Sequence, residues 1–481
     1  MIGGLLFPEF VIFLAAIVVL LVGLFLRDKR ITAYISIAGI LIALFHVIFN
    51  LNAHEPFEGY PFFNSIVVDP FAQIFNAMFL IVALLVCIAS IKYYGENANQ
   101  DEYYMLILFA LLGMMVVALS NDFITLFIGF ELASLSTYAL AGFDRRDARS
   151  VEAAFKYFVF GGLSSAILLF GIAILYGITG STNFMVISES LSRSSTAMLA
   201  TLFVIAGFGF KMALVPFHMW APDTYEGSPA VISSLLAAGS KKMGFAAAFR
   251  VIVFALIAEK LDWYVAFAIL AVLTMTIGNL AALVQRSIRR MLAYSSIAHA
   301  GYIAIVFAVV AKSARAAELA VTGGILHAFS HAFAKGGAFI VTAVIAYMMA
   351  SRLDDIDDYN GLGKRAPITA LAMAILLCSL AGIPPTFGFY SKFVLFLSAI
   401  KGDLLWLALI GVLNSAMSVF YYARVIMRMY WAKPNGERIE EPAPYVIALI
   451  LATVATLALG IYPSPVHEWA TEAAKSIIGG M

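Results

Sequence analysis

The chain has 481 residues, of which 63% are apolar or aromatic and 12% charged, with a formal net charge of +1. A soluble domain runs nearer 45–50% apolar and about 25% charged, and a mean hydropathy of +0.95 leaves more apolar surface than one soluble core can bury. Disorder is excluded by hydrophobicity, and the near-zero charge without a basic tail leaves no nucleic-acid footprint. Two cysteines, Cys87 and Cys378, cannot supply a disulfide framework or a four-thiolate iron–sulfur site. A polytopic membrane protein remains.

At about 20 residues per crossing, the apolar runs predict fourteen helices. The first covers 4–26; Arg27, Lys29 and Arg30 follow it instead of preceding it, so it is not a cleavable leader. Next come 32–52, 67–94, 104–120, 122–141, 151–178 and 195–219. The second half holds 229–257, 263–284, 290–311, 317–350, 368–399, 403–432 and 443–463. Segments longer than 25 residues imply tilt, kinks or ends outside the hydrocarbon. The longest polar connections, 50–66, 179–194 and 351–367, are short, so 1–481 reads as a single integral membrane domain. Odd-numbered connections carry seventeen lysines and arginines, against six on the even-numbered connections and the tail. By the positive-inside rule both termini lie outside.

Seven basic residues remain within the spans: Lys156, Lys211, Lys241, Lys242, Arg250, Lys335 and Lys392, joined by Glu131 in FIGFELASLSTYAL. A charge at the centre of a span costs at least about 2.5–3.5 kcal/mol, and such groups default to ion or proton pathways. Glu131 lies nine residues past Asp122, roughly 13 Å into its helix at 1.5 Å per residue. Lys211 is near mid-span and five residues before Pro216; Lys392 follows Pro384 and Pro385 by one to two turns. Proline removes a backbone hydrogen bond, and a broken membrane helix persists only where its freed groups meet protein or water. Lys211 and Lys392 are 181 residues apart and Lys156 and Lys335 are 179 apart, a near-equal offset that fits either a duplicated unit or the coincidence of two pairs.

Taking an ammonium out of water disfavours its charge, and a carboxylate beside it restores that charge. That chemistry is assigned to Glu131, Lys211, Lys241 and Lys392. One acid and one lysine make a static interhelical pair; one acid with four lysines strung through successive helices exceeds what stability requires. Lys242 points about 100° from Lys241, so at most one of them faces the same cavity. Lys156, beside Arg149 and Glu152, suits snorkelling or an interface as well as a relay, and Arg250 reads as a fixed structural charge. His327, His331 and Lys335 recur at i, i+4 and i+8 on one stripe. An HxxxH pair suits zinc, yet its third member is a cation and no acid or thiol completes a site, so the stripe reads as proton-conducting. His299, behind YSSIAHAGY, is balanced between conduction and packing, and His218 suits loop orientation. Gly161–Gly162, Gly323–Gly324 and Gly336–Gly337 lack the setting of a phosphate loop and suit close helix packing.

The blocks FITLFIGFELASLSTYAL, GFGFKMALVPFHMWAPDTYEGSP, RRMLAYSSIAHAGY and LAGIPPTFGFYSKFVLF resemble the antiporter-like membrane subunits of respiratory complex I and of Mrp-type cation/proton antiporters, over nearly the whole chain. Within that family the chain looks most like the subunit-N branch, relatives of mitochondrial subunit 2. Lys392 stands where subunit M carries a glutamate, and LNSAMSVFYYARVIMRMYW follows. The stretch ILHAFSHAFAKGGAF departs toward subunits M and L and the Mrp proteins.

The resemblance implies an all-α fold of fourteen helices with two inverted five-helix repeats, helices 4–8 (104–257) and 9–13 (263–432). Helices 1–3 (1–94) precede them, a final helix and tail (443–481) follow, and helices 7 and 12 are broken. It implies a proton path in which Glu131 pairs with Lys211, Lys241 relays through the centre and Lys392 exchanges with the outer side; Lys156 coincides with a lysine of the N subunits. It further implies a proton-translocating membrane-arm subunit of a redox-driven pump, taking electrons from NADH or a deazaflavin (F420H2), in a prokaryotic cell membrane. No cofactor is expected in this chain; flavin, iron–sulfur clusters and the site of a quinone-type acceptor belong to partner subunits. The alternative is a subunit of an Mrp-type cation/proton antiporter. The N-like blocks and the lack of further intramembrane carboxylates for sodium weigh against it.

Overall fold

The computed structural model describes residues 2–25, 28–53, 59–62, 64–94, 99–192, 194–256, 263–348, 354–434, 436–438 and 440–479. Arg27, Arg193, Lys260 and Arg352, which contribute to the topology count, lie outside the described residues.

The described residues are almost entirely helical. Among the described residues twelve helices are long and apolar enough to cross a membrane without interruption. We label them α1 (Phe7–Phe25), α2 (Arg30–Leu51), α3 (Pro70–Tyr93), α4 (Gln100–Leu119), α5 (Phe123–Ala141), α6 (Ala148–Thr179), α7a (Ser195–Met212), α9 (Trp263–Leu283), α10 (Ile288–Lys312), α11 (Ala314–Met348), α13 (Leu405–Trp431) and α14 (Ala443–Ile461). α7a continues after a break into α7b (Trp220–Gly227). Two further runs are interrupted. α8 comprises the α-helical pieces Ala230–Leu235 and Lys241–Ala248, each followed by a π-helical turn, Leu236–Ser240 and Phe249–Ala255. α12 is split into α12a (Pro367–Ala381) and α12b (Phe387–Lys401).

These helices are apolar on most faces, so periodicity does not place their ends; capping residues do. Asp69, Asp122, Asp147, Ser194 and Ser287 accept backbone N–H groups at the heads of α3, α5, α6, α7a and α10, each cap contributing about 1 kcal/mol. The tail differs from the sequence reading. Beyond α14 it forms α15 (Ser464–Ile478), too short to span, which packs Val466, Ala470, Ala473, Ala474 and Ile477 inward against α3 and α11. Alternating alanines and charges hid this helix from a search for long apolar runs.

The 35-residue α11 is the axis of the molecule, contacting α3, α8, α10, both halves of α12, α14 and α15. Glycine allows that crowding. A Cβ on Gly323 would lie 2.9 Å from Leu395 Cα and 3.0 Å from its backbone nitrogen on α12b. Gly323→Leu is therefore expected to destabilise the protein by about 1–3 kcal/mol, the usual cost of overpacking. Thermal unfolding in detergent measures it.

Candidate functional site

The interior of this bundle is not uniformly apolar. Lys211, Lys241, Lys242, Lys335 and Lys392 are at most 4% exposed, as are His299, His327 and His331. Each is positioned by an irregularity or by a neighbouring hydroxyl.

α7 breaks between Met212 and Trp220, where Ala213 takes a left-handed conformation and Val215–Pro216 is cis. The break leaves Lys211 in the last turn of α7a. Its Nζ donates to Ser134 Oγ on α5 and Tyr157 Oη on α6, both at 3.0 Å. It also sits 5.2–5.7 Å from the ring centres of Phe130, Tyr138 and Tyr157, within cation–π range. Glu131 is half-buried on α5, and its Oε1 accepts from Ser165 Oγ at 2.5 Å. The implied Glu131–Lys211 ion pair is not formed: among the described residues no salt bridge joins them. The reason is local. The ammonium is drawn to Ser134, one turn along α5, by two hydroxyls and three aromatic faces, while Ser165 of α6 takes the carboxylate.

The π-helical turn Leu236–Ser240 widens α8 just before its two lysines and frees backbone carbonyls; such turns recur at functional sites. Lys241 turns to α10 and donates to Ser296 Oγ at 3.0 Å. Lys242 turns to α11, within 2.7 Å of His331 Nδ1 and 3.3 Å of the freed Ala237 carbonyl. The 100° offset does send them to different helices, and Lys242 meets the file only through the His331 ring, 4.8 Å from that of His299. As an ammonium Lys242 donates to Nδ1; as an amine it accepts from it.

The stripe on α11 continues the file. Lys335 donates to Ser295 Oγ at 2.6 Å and to the Leu292 carbonyl at 3.2 Å. Ser295 bonds Tyr422 Oη, which reaches His299 Nε2 at 3.4 Å. His299 Nδ1 meets His327 Nε2 at 3.0 Å with their rings stacked, and His327 Nδ1 meets Ser391 Oγ at 3.0 Å. Ser391 precedes Lys392. In the α12 break Gly382 is left-handed and Pro384–Pro385 is cis. Lys392 Nζ donates to the freed carbonyls of Leu380 (2.8 Å) and Ala381 (3.2 Å) and to Ser415 Oγ (2.8 Å). Lys392 and Ser415 line a 450 Å³ cavity walled by Phe389, Phe393, Val412 and Val419.

Lys156 stands apart. Its side chain is 35% exposed and pairs at 2.7 Å with Glu152 and with Asp223, whose other oxygen holds Arg290 at 2.7 Å. These groups line a second cavity of 470 Å³. Arg250 lies outside the file in a bidentate pair with Asp69.

Sequence reasoning missed the hydroxyls Ser134, Tyr157, Ser295, Ser296, Ser391, Ser415 and Tyr422; serines near a buried histidine in YSSIAHAGY and beside a buried lysine in FYSKF were the available signal. It also missed a carboxylate. Glu9 is buried in α1, so the interior is not confined to Glu131 for acids. Among the described residues no group of three or more His, Cys, Asp or Glu forms a metal cluster.

Residues 120–418 match the family described as NADH:quinone oxidoreductase/Mrp antiporter, transmembrane. The chain is 48% identical to F(420)H(2) dehydrogenase subunit N of Methanosarcina mazei, covering 98% of each. It is 41% identical to NADH-quinone oxidoreductase subunit N of Trichlorobacter lovleyi, over 98% of this chain and 96% of that one. Its fold matches a chain of respiratory complex I from Thermus thermophilus, solved with bound aureothin, with a TM-score of 0.81 and 29% identity over 96% of this chain and 98% of that chain.

Proposed function

The chain belongs to the NADH:quinone oxidoreductase/Mrp antiporter family, and on that premise we propose that it is a proton-translocating membrane-arm subunit of a complex I-type redox-driven pump. It is an integral membrane protein and carries no electron-transfer chemistry in this reading; flavin, iron–sulfur clusters and the quinone-type acceptor site are assigned to partner subunits. Orientation with both termini outside, in a prokaryotic cell membrane, rests on the loop charges.

One observation carries the proposal. Proton-exchanging side chains cross the apolar interior in four hydrogen-bonded groups, Lys211–Tyr157–Ser240, Lys241–Ser296, Lys335–Ser295–Tyr422–His299–His327–Ser391 and Lys392–Ser415, and successive groups meet at residues adjacent in sequence, which makes a file. Both ends lie at broken helices, the arrangement transporters use for midplane ion sites. Lysine accepts or gives one proton, histidine passes one between two nitrogens, and hydroxyls reorient to donate or accept. Like charges repel strongly where water is excluded, so a proton arriving at one lysine drives the next along. Displacing Lys211 from Ser134 toward Glu131 supplies the electrostatic switch that loads the file, and Lys392 discharges it on the outer side. Lys156, one residue before Tyr157 on α6, and its acidic neighbours stand as a surface reservoir of protons.

Among the described residues His327 is hydrogen-bonded to both His299 and Ser391 and so links them. His327→Ala is therefore expected to slow coupled proton translocation by at least about tenfold, since a positioned proton carrier contributes roughly 10²–10⁴ where proton transfer limits. Dye-monitored acidification of vesicles, driven by electron input, reads this.

The Mrp-type reading is separated by ion dependence. In vesicles holding the assembled complex, acidification is expected to persist without sodium and to collapse with a protonophore. Sodium uptake that a protonophore accelerates overturns the proton reading in favour of sodium transport.

A further inference from the structure

Three oxygen acceptors lie unpartnered in the interior of α1 and α3, away from the lysine file. Glu9, the third residue of α1, is 8% exposed; Gln73 and Asn76, one turn apart on α3, are 4% and 0% exposed. Asn76 Nδ2 donates to Glu9 Oε1 at 2.8 Å. Glu9 Oε2, Asn76 Oδ1 and Gln73 Oε1 have no hydrogen-bond partner. We propose that Glu9, Asn76 and Gln73 form a binding site for one monovalent cation, a proton or sodium.

A buried carboxylate whose second oxygen has no hydrogen-bond partner leaves much of its desolvation unmet, and each orphaned amide oxygen adds to the deficit. One positive charge corrects all of it. A proton on Glu9 Oε2 has Asn76 Oδ1 as acceptor while Nδ2–H still donates to Oε1, a reciprocal two-bond pair. Sodium, a hard cation, takes oxygen ligands of this kind, as calcium and magnesium do.

The surrounding elements do not supply that charge themselves. Among the described residues Glu9 forms no salt bridge. Of the helices packed on α1, α4 carries Asp101, held by Lys29 at the opposite end of the bundle. α2 carries His46, whose ring lies tilted with its centre 5.0 Å from that of Phe7. On α3, Asp69 is already held by Arg250 and Lys92 lies in the last turn. The site is independent of the lysine file and of the function read from it.

The assembled complex tests this with two readouts, equilibrium binding of radioactive sodium and the infrared carbonyl band of protonated carboxylic acids, in wild type and in Glu9→Gln. Saturable sodium binding that Glu9→Gln abolishes supports sodium as occupant. A carboxylic-acid band that Glu9→Gln removes, without sodium binding, supports the proton. If the two proteins match in both readouts, Glu9 is ionised among waters only and the proposal fails. Gln73→Leu, which keeps the carboxyl and its amide donor, serves if Glu9→Gln does not assemble. It is expected to weaken sodium binding about tenfold, the loss of one contact to a charge, or to shift the acid band; no change in either overturns the site.

Discussion

Lys211→Ala is expected to cut coupled proton translocation, and the electron transfer tied to it, by about tenfold or more while the complex still assembles. Assembly survives because the neighbours of Lys211 keep other partners: Ser134 Oγ donates to the Phe130 carbonyl at 2.6 Å, and Tyr157 Oη lies 3.4 Å from both Thr137 and Ser240. What is lost is the ammonium at the α7 break that donates to Tyr157 and to Ser134, which stands one turn from Glu131 on α5. Removing a buried charge that has no buried counter-charge spares the protein an electrostatic cost, so the defect is one of transport and not of folding. Arginine is not expected to rescue it. A guanidinium stays protonated at all accessible pH and is planar, so it occupies the hydroxyl and aromatic pocket without exchanging a proton. Acidification rates in vesicles, normalised to assembled complex, give the answer. Rates near wild type for Lys211→Ala contradict the role assigned to it.

Arg250→Ala is expected to produce the largest loss of stability of any single change considered, about 3–5 kcal/mol, the cost of stranding one partner of a buried pair. The guanidinium donates to both oxygens of Asp69 at 2.6 Å and to the Ala118 carbonyl at 3.2 and 3.1 Å, and it lies 4.6 Å from the Phe71 ring centre. One side chain thus ties the second π-helical turn of α8 to the head of α3 and the end of α4. Asp69 also caps α3 through Ala72 N at 2.8 Å, so its unpaired charge disturbs that helix start as well. Combining Asp69→Asn with Arg250→Met removes both charges and is expected to recover much of the loss, because a buried pair replaced by apolar or neutral groups is often nearly neutral. Denaturant titration of the purified protein in detergent measures both. Equal stability of the single and double variants contradicts the pair as the source. Pumping per folded complex is expected to stay normal, which separates this clamp from the lysine file.

The two predictions differ in how far the amino-acid sequence alone carries them. Fourteen crossings, the prolines at the breaks and six intramembrane lysines follow from hydropathy and from the high cost of charge in hydrocarbon, which makes rare polar residues conspicuous. The partners of those lysines do not follow, because a serine or tyrosine in an apolar run is as compatible with packing as with donating a hydrogen bond. Ser134 and Tyr157 are chosen over Glu131 by the three-dimensional position of the α7 break, which no spacing rule gives. Lys242 was undervalued for a related reason: two adjacent lysines diverge by 100° on a helix, but a π-helical turn and flanking α10 and α11 offer each its own partner. Glu9 escaped notice because it stands in the first turn of its helix, where a carboxylate favoured by the helix dipole looks ordinary; only the packing of α3 over it shows that it is buried.

The most direct measurement of the central claim is the number of protons moved per electron pair by the assembled complex in sealed vesicles, with Lys241→Leu as the only change. Lys241 stands between the group anchored at the α7 break, which ends at Ser240 next to it in sequence, and α10, where it donates to Ser296. The expected result is a fall of about tenfold in turnover, or a lowered proton count at retained turnover, where loss of a positioned proton carrier limits the rate. Wild-type turnover together with a wild-type proton count contradicts transport through this file.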